Sequence, residues 1–344
     1  MRICFFANLS QHENWREMFD KIEFYRVDIM LLREMGHEVI LAGSPSMIDK
    51  TADLYYCWWW GHAPYVFPWA WLRGKPVVIT GAFDYATCRE ELPGTCYLDR
   101  PIWQKLILAG MLRIASANLF ISQYEYSEVT SHLKVRKPTL VPLAIDLEKY
   151  APSSNITKGD YFFAVALSTR ENAIRKGLPQ TIRAFARFLA DYPQTELKIA
   201  GKTGEYTENL KALARELCIE EKVEFLGMVS EEEKIRHYRQ CIGYLQPSLY
   251  EGFGLAIAEA VASGARIITS DRGAVPEVAG PDGIIVDPND IEAIATAMRT
   301  VIETPMDVRE NVMRHHWIKD RYSYDKRRSG LEKVVNSVAV TKVR

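Results

Sequence analysis

Glu251 and Glu259 bracket a glycine-bearing turn in the stretch PSLYEGFGLAIAE, Pro247 to Glu259. The stretch begins where an apolar run, Ile242 to Leu245, gives out, and it continues into small residues, Ala256 to Ala262, that stop at Gly264. That order predicts a strand, a turn and a helix N-terminus. Gly252 and Gly254 let the backbone approach a ligand closely, and the first N–H groups of the helix, around Phe253, Gly254 and Leu255, point outward as an anion cradle. A phosphate suits that cradle. The two carboxylates place acceptors on either side of it for hydroxyl-rich groups, and a phosphate flanked by two sugars is a nucleotide sugar.

Such a ligand needs cations, and LSTRENAIRKG supplies Arg170 and Lys176 across a predicted loop. A diphosphate leaving group gains negative charge as its bond to the sugar breaks, and fixed cations stabilise that charge most where water is excluded. Arg offers a planar fork and Lys a point charge. Taken alone, the pair reads better as surface charge beside a helix start; the Pro247 to Glu259 motif on the same sheet edge tips the reading toward function. Gly201, Lys202 and Thr203 imitate the end of a P-loop, but position 196 holds Glu196 where that motif requires glycine. Gly201 still suits a close backbone approach to the donor. Gly273 and Pro276, before Glu277, read equally well as a ligand turn and as a plain connection.

Short apolar runs alternate with helical patterns throughout. In the first half, strands are predicted at Met1 to Ala7, His37 to Ala42, Leu54 to Cys57, Pro76 to Thr80, Asn118 to Ile121 and Thr139 to Leu143, with one helix spanning Asn14 to Met35 and another from about Pro101 to Ala115. Ala151 to Asp160 reads as a linker. The alternation then restarts at Tyr161, which predicts two doubly wound α/β domains, 1–150 and 151–307, facing a central cleft, and a helical segment 308–344. That last segment is rich in Lys and Arg, read as a solvated face, with contact to an anionic membrane as the sharper alternative.

Composition narrows the classes. The chain of 344 residues has a formal net charge of −1, which gives no electrostatic case for nucleic-acid binding. Its six cysteines show no C-x-x-C spacing, and neither an H-E-x-x-H pair nor a D-x-D triplet occurs, so no metal is expected and the thiols read as reduced and cytoplasmic. The N-terminus does not read as a signal peptide. Leu54 to Leu72 is long enough on paper to span a bilayer, but Gly61, Pro64, Pro68 and its aromatic content place it in a folded domain.

Taken together, Arg170 with Lys176, the E-x(7)-E pair Glu251 and Glu259, PSLYEGFGLAIAEAVASG and VPEVAG resemble the donor-binding half of retaining family-4 glycosyltransferases of the GT-B fold, over roughly Tyr161 to Met298. FISQYEYSE and VPLAIDLEKYAP extend a weaker likeness into the first half. The resemblance implies a metal-independent hexosyltransferase without a cofactor. Arg170 and Lys176 would hold the diphosphate, Glu251 the transferred sugar and Glu259 the ribose, with Phe253, Gly254 and Leu255 assisting through their backbone, Gly201 nearby and Met228 facing the base. It also implies that the C-terminal helix returns to the first domain, which meets a sugar or glycolipid acceptor.

Two features depart from the pattern. Asn8, Leu9 and Ser10 stand where many relatives have a glycine pair, and Ala82 stands where they often have a histidine. His62, Asp84 or Tyr85 are the candidates to replace its contacts. Trp58, Trp59 and Trp60, with Trp69 and Trp71, read as core, as a sugar-stacking platform or as a belt seating the protein on the inner face of a membrane. A nucleotide-sugar-binding relative without turnover and, more weakly, a glycosidase stay open as alternatives.

Overall fold

The computed structural model describes residues 1–86, 92–153, 157–305 and 307–340, so part of the predicted linker and Cys88 lie outside the described residues. Contacts divide the chain into two compact units. The first comprises residues 1–86, 96–144 and 322–340, and the second comprises residues 145–321 with 92–95.

In the first unit, β1 (Arg2–Phe6), β2 (Glu38–Ala42), β3 (Leu54–Trp58), β4 (Val77–Gly81), β5 (Ala117–Phe120) and β6 (Pro138–Leu140) form a parallel sheet in the order β2-β1-β3-β4-β5-β6. β3 and β4 are buried along their whole length, which is why they read as unbroken apolar runs. The single helix predicted over Asn14 to Met35 is two, Trp15–Lys21 and Glu23–Glu34, with Ile22 in extended conformation between them. That break brings both Phe19 and Tyr25 edge-on to the buried ring of Phe5.

In the second unit, β7 (Tyr161–Val165), β8 (Glu196–Ala200), β9 (Val223–Gly227), β10 (Tyr244–Gln246), β11 (Ile267–Ser270) and β12 (Ile284–Val286) run parallel in the order β12-β11-β10-β7-β8-β9. The order reverses direction between β7 and β10, and in such sheets ligands gather at the carboxyl ends of the strands flanking that point. The predicted loop after β7 contains a six-residue helix, Arg170–Arg175, capped by the Thr169 side chain.

The C-terminal segment is divided. Helix Val308–Tyr322 groups with the second unit up to Arg321, whereas Tyr324–Val340 packs on Glu23–Glu34 in the first. Its anchor is Arg327, 1% exposed. The buried carboxylate of Asp28 accepts from Arg327 Nε and Nη2 at 2.5 and 2.8 Å, from the Tyr56 hydroxyl at 2.8 Å and from Trp58 Nε1 at 3.1 Å. The remaining guanidinium nitrogen donates to the carbonyls of Val141 and Pro142. Other arginines of this segment are partnered within it or against the first unit: buried Arg314 pairs with Glu310, exposed Arg321 lies over Trp317 and half-buried Arg328 pairs with Glu34.

No helix among the described residues is long and apolar enough to cross a membrane.

Candidate functional site

The loops that follow β7 and β10 are stitched together by hydrogen bonds to backbone carbonyls. Leu249 N–H donates to the Arg175 carbonyl at 2.7 Å, and Arg175 Nη1 donates to the Tyr250 carbonyl at 3.0 Å. Gly177 has φ +70°, and a Cβ there would stand 2.1 Å from the Pro247 carbonyl oxygen, so only glycine permits this approach. Replacing Gly177 with alanine is expected to cost about 2–4 kcal/mol, from a strained φ combined with a backbone clash. Denaturant unfolding checks this, and an unchanged midpoint would show that the loops are not pinned at Gly177.

Glu251 sits at the centre of this junction. Its carboxylate meets Arg175 at 2.9 Å, the side-chain amide of Gln246 at 2.9 Å and Lys176 Nζ at 3.8 Å. The Tyr244 hydroxyl, 2.5 Å from Gln246 Oε1, orients the amide so that it donates to Glu251 and to Ser248. Gly273 and Ala274 hold the Glu251 backbone from the other side: Ala274 N–H donates to its carbonyl at 2.9 Å, and a Cβ on Gly273 would lie 2.5 Å from that oxygen. The DRGAVPEV turn thus supports the site rather than merely connecting elements. Burial raises the Glu251 carboxyl, but Arg175 and Lys176 outweigh it and hold the group below its ordinary range. Burial is also the largest influence on Lys176 and carries its ammonium below 10.5, against the pull of Glu251.

Arg170 is exposed at the start of the short helix. Its backbone N–H donates to Glu205 at 2.8 Å, and its guanidinium forms no salt bridge among the described residues. Gly201 follows β8 with φ +139°, and a Cβ there would stand 1.9 Å from the Ala166 carbonyl oxygen, so the β7 and β8 turns approach as closely as the β7 and β10 turns do. Met228, just past β9, is 78% exposed.

Gly254, φ +94°, opens the helix Leu255–Ala262 without a side-chain cap, so the first-turn amides have no side chain competing for them. Glu259 projects from that helix into a second polar cluster. It is 8% exposed, accepts from the Tyr238 hydroxyl at 3.0 Å and pairs with Lys234 at 3.0 Å. Lys234 also meets Glu231 at 2.7 Å, and Lys149 and the Tyr150 hydroxyl close the network on Glu231. Burial pushes the Glu231 carboxyl up, but Lys149 and Lys234 hold it at about 2.

Sequence reasoning singled out Arg170, Lys176, Glu251 and Glu259 and missed Arg175, Gln246, Lys234 and Tyr238. Gln246 carried a usable signal, as a polar residue ending an otherwise apolar strand directly before the motif. Arg175 gave less, since only the helical turn between Arg170 and Lys176 points it at Glu251.

The first unit has its own concavity, formed where the chain leaves the carboxyl ends of β3 and β4. A cavity of about 180 Å3 is lined by Trp59, Trp60, His62, Ala82, Asp84 and Arg100, among others. Ala82, the position of the missing histidine, therefore shares this space with two of the proposed replacements. His62 Nδ1 accepts from the Asn8 backbone at 3.2 Å, and burial lowers the imidazole against a backbone hydrogen bond at Trp58, which favours the neutral ring. The Asn8 side chain is used locally, accepting from Ser10 N–H and Oγ, so this turn closes on itself. Tyr85 stacks on His132 and Tyr97, with ring centroids 4.4 and 5.6 Å apart.

Of the three readings of Trp58, Trp59 and Trp60, their burial favours the core over an open stacking platform. Trp58 is fully buried on Asp28. Trp60 forms part of the cavity wall, but it is 2% exposed, its Nε1 donates to Asn118 at 2.8 Å and its ring stacks on Phe120. Trp59, φ +79°, donates to the Tyr25 hydroxyl at 2.7 Å. These rings serve the core first, because a ring ending a central strand has the sheet's helix layer directly over it.

The architecture is that of the GT-B glycosyltransferases. Solved structures sharing it include sucrose-phosphate synthase from Thermosynechococcus elongatus, with a TM-score of 0.79 at 15% identity over 99% of this chain and 100% of that one. Another is Anabaena HepE in complex with UDP and glucose, with a TM-score of 0.74 at 16% identity over 98% and 100%. The family model described as glycosyl transferases group 1 matches residues 151–322, and the chain belongs to that family. Among curated relatives, it is 29% identical over 56% of its length to MMP alpha-(1->4)-mannosyltransferase of Mycolicibacterium hassiacum, of which it spans 46%. It is 27% identical over 83% of its length to the GDP-mannose-dependent alpha-(1-6)-phosphatidylinositol monomannoside mannosyltransferase of Mycolicibacterium smegmatis, of which it spans 77%.

Proposed function

We propose that this protein is a retaining, metal-independent glycosyltransferase that moves a hexose from a nucleoside-diphosphate sugar to an acceptor. The observation that carries the reading is the junction at the β7–β10 reversal, where Lys176 and Arg175 converge on Glu251 beside the uncapped start of helix Leu255–Ala262. Lys176, exposed Arg170 and the helix amides then take the diphosphate, supplying from the chain the positive charge that a metal would otherwise bring. Glu251 holds the cations in place and offers its carboxylate edge to the transferred sugar. Glu259, fixed by Tyr238 and Lys234, faces the ribose hydroxyls, and Met228 the base.

In the step itself, the bond from the anomeric carbon to the diphosphate oxygen breaks and its electron pair leaves with the diphosphate. The acceptor oxygen bonds to the same face of that carbon, and its proton passes to the departing phosphate. The cavity beside His62 and Asp84 is the acceptor side in this reading. A glycosidase is disfavoured, because it needs one carboxyl kept protonated as general acid, whereas Glu251 is paired with Arg175 and Glu259 with Lys234.

Relatives named for GDP-mannose make that sugar nucleotide the first donor to test. A melting-temperature screen against GDP-, UDP- and ADP-sugars is expected to give one clear rise, since a ligand that binds only the folded state stabilises it. NMR of the transfer product should then show the donor's anomeric configuration. No rise with any of them overturns the reading; a rise without transfer to any acceptor pool supports a binding relative, and an inverted product removes retention.

A further inference from the structure

The helix Ile102–Ile114, between β4 and β5, has the sequence IWQKLILAGMLRI, with Gln104, Lys105 and Arg113 as its only strongly polar side chains. A helix apolar all round is ordinarily covered on every side. This one is covered on one side only: Leu112 is buried and Leu108 and Met111 pack on the core, while Ile102 is 70% exposed and Trp103, Leu106 and Ile114 are exposed with it. The preceding crossover, between β3 and β4, packs into the same core cluster through Val66 and Ala70 and exposes Trp71, at 82%, and Leu72. Apolar surface on this scale marks an interaction site.

Within these two stretches of chain the charge has one sign. No Asp or Glu occurs from Gly61 to Phe83 or from Arg100 to Tyr124, whereas Arg73, Lys105 and Arg113 all lie in these segments. Arg113 is exposed, and Lys105 donates to the Leu98 carbonyl at the start of the same crossover.

We infer that this face is a docking surface for an anionic lipid bilayer, with Trp71, Trp103 and Leu106 entering the headgroup boundary and the cations meeting lipid phosphates. Exposed tryptophan beside Lys and Arg with no acidic residue is the composition of an interfacial element. A second copy of the chain fits worse, because a two-fold interface sets each patch against itself and brings cation against cation. The inference stands independently of the donor-site reading, since every residue it uses lies in the first unit. It also moves the membrane contact away from Trp58 and Trp60, and away from the largely paired C-terminal arginines.

Co-sedimentation with vesicles of phosphatidylcholine alone, and of phosphatidylcholine mixed with phosphatidylglycerol, tests it. The protein is expected to pellet with the mixed vesicles at low salt and to stay in solution with phosphatidylcholine alone. Arg73→Glu with Arg113→Glu, and separately Trp103→Glu with Leu106→Glu, should each weaken binding at least about tenfold. Both double variants should keep the wild-type melting temperature and its rise with nucleotide, because the changed side chains are largely outside the core. Absence of binding to the mixed vesicles, or unchanged binding by both variants, overturns the inference. So does a dimer that the Trp103→Glu, Leu106→Glu variant splits on size exclusion, since the face would then join two copies.

Discussion

Replacing Lys176 with alanine is expected to lower turnover of the sugar nucleotide by about a hundredfold or more at saturating donor, the usual cost of removing one preorganised group that stabilises developing charge. The ammonium sits beneath the β7–β10 junction, 3.3 Å from the Val165 carbonyl and 3.8 Å from Glu251, with its side chain 16% exposed. Its position is therefore set before the donor arrives, and charge held in place in this way costs no reorganisation in the transition state. The effect should fall on kcat more than on KM, because the helix amides and Arg170 still bind the ground-state diphosphate. Burial lowers the Lys176 ammonium below 10.5, so its charged form, and turnover with it, should be lost as pH rises through a value under 10.5. Lys176→Arg should move that loss upward. Donor hydrolysis measured without acceptor reports both quantities, and an alanine variant within about threefold of wild type removes Lys176 from leaving-group stabilisation.

The largest expected loss of stability belongs to Arg327→Met. That change leaves Asp28, fully buried, with the Tyr56 and Trp58 donors but no cation, and an uncompensated buried charge costs about 3–5 kcal/mol. It also frees the carbonyls of Val141 and Pro142, which Arg327 Nη1 satisfies. Melting of the first unit should fall by roughly 10 °C. Asp28→Asn combined with Arg327→Met should recover part of the loss, since a neutral amide no longer needs the cation, and calorimetry of the four-protein cycle isolates the coupling. A single variant that melts with the wild type would show that helix Tyr324–Val340 is held by its apolar contacts alone.

The strand pattern was legible because strands of a parallel sheet are buried on both faces and leave unbroken apolar runs: the runs marked from Met1 to Leu143, and Ile242 to Leu245, fall on strands, with ends shifted by up to three residues. The donor motif was legible for a related reason. Strand, glycine turn and small-residue helix form a local sequence in which Gly254 and the helix start need no distant partner.

What failed were statements about which side of an element faces what. Trp58 and Trp71 sit in one aromatic stretch, yet the first is sealed onto Asp28 and the second is largely exposed, because one ends a central strand and the other lies on the outer turn of a crossover helix. Arg170 and Arg175 are the first and last residues of the same short helix, and its rotation decides which of them meets Glu251.

The amino-acid sequence by itself determined the two doubly wound sheets, the donor motif and its membership in a glycosyltransferase family, since each rests on periodicity or on residues close together in the chain. Only the tertiary structure decided that Glu251 is held by Arg175 and Gln246, that Arg327 reaches Asp28 and that Ile102–Ile114 turns apolar side chains outward. Those facts depend on groups brought together from distant parts of the chain and on the side from which each element is covered, and neither is written in local spacing.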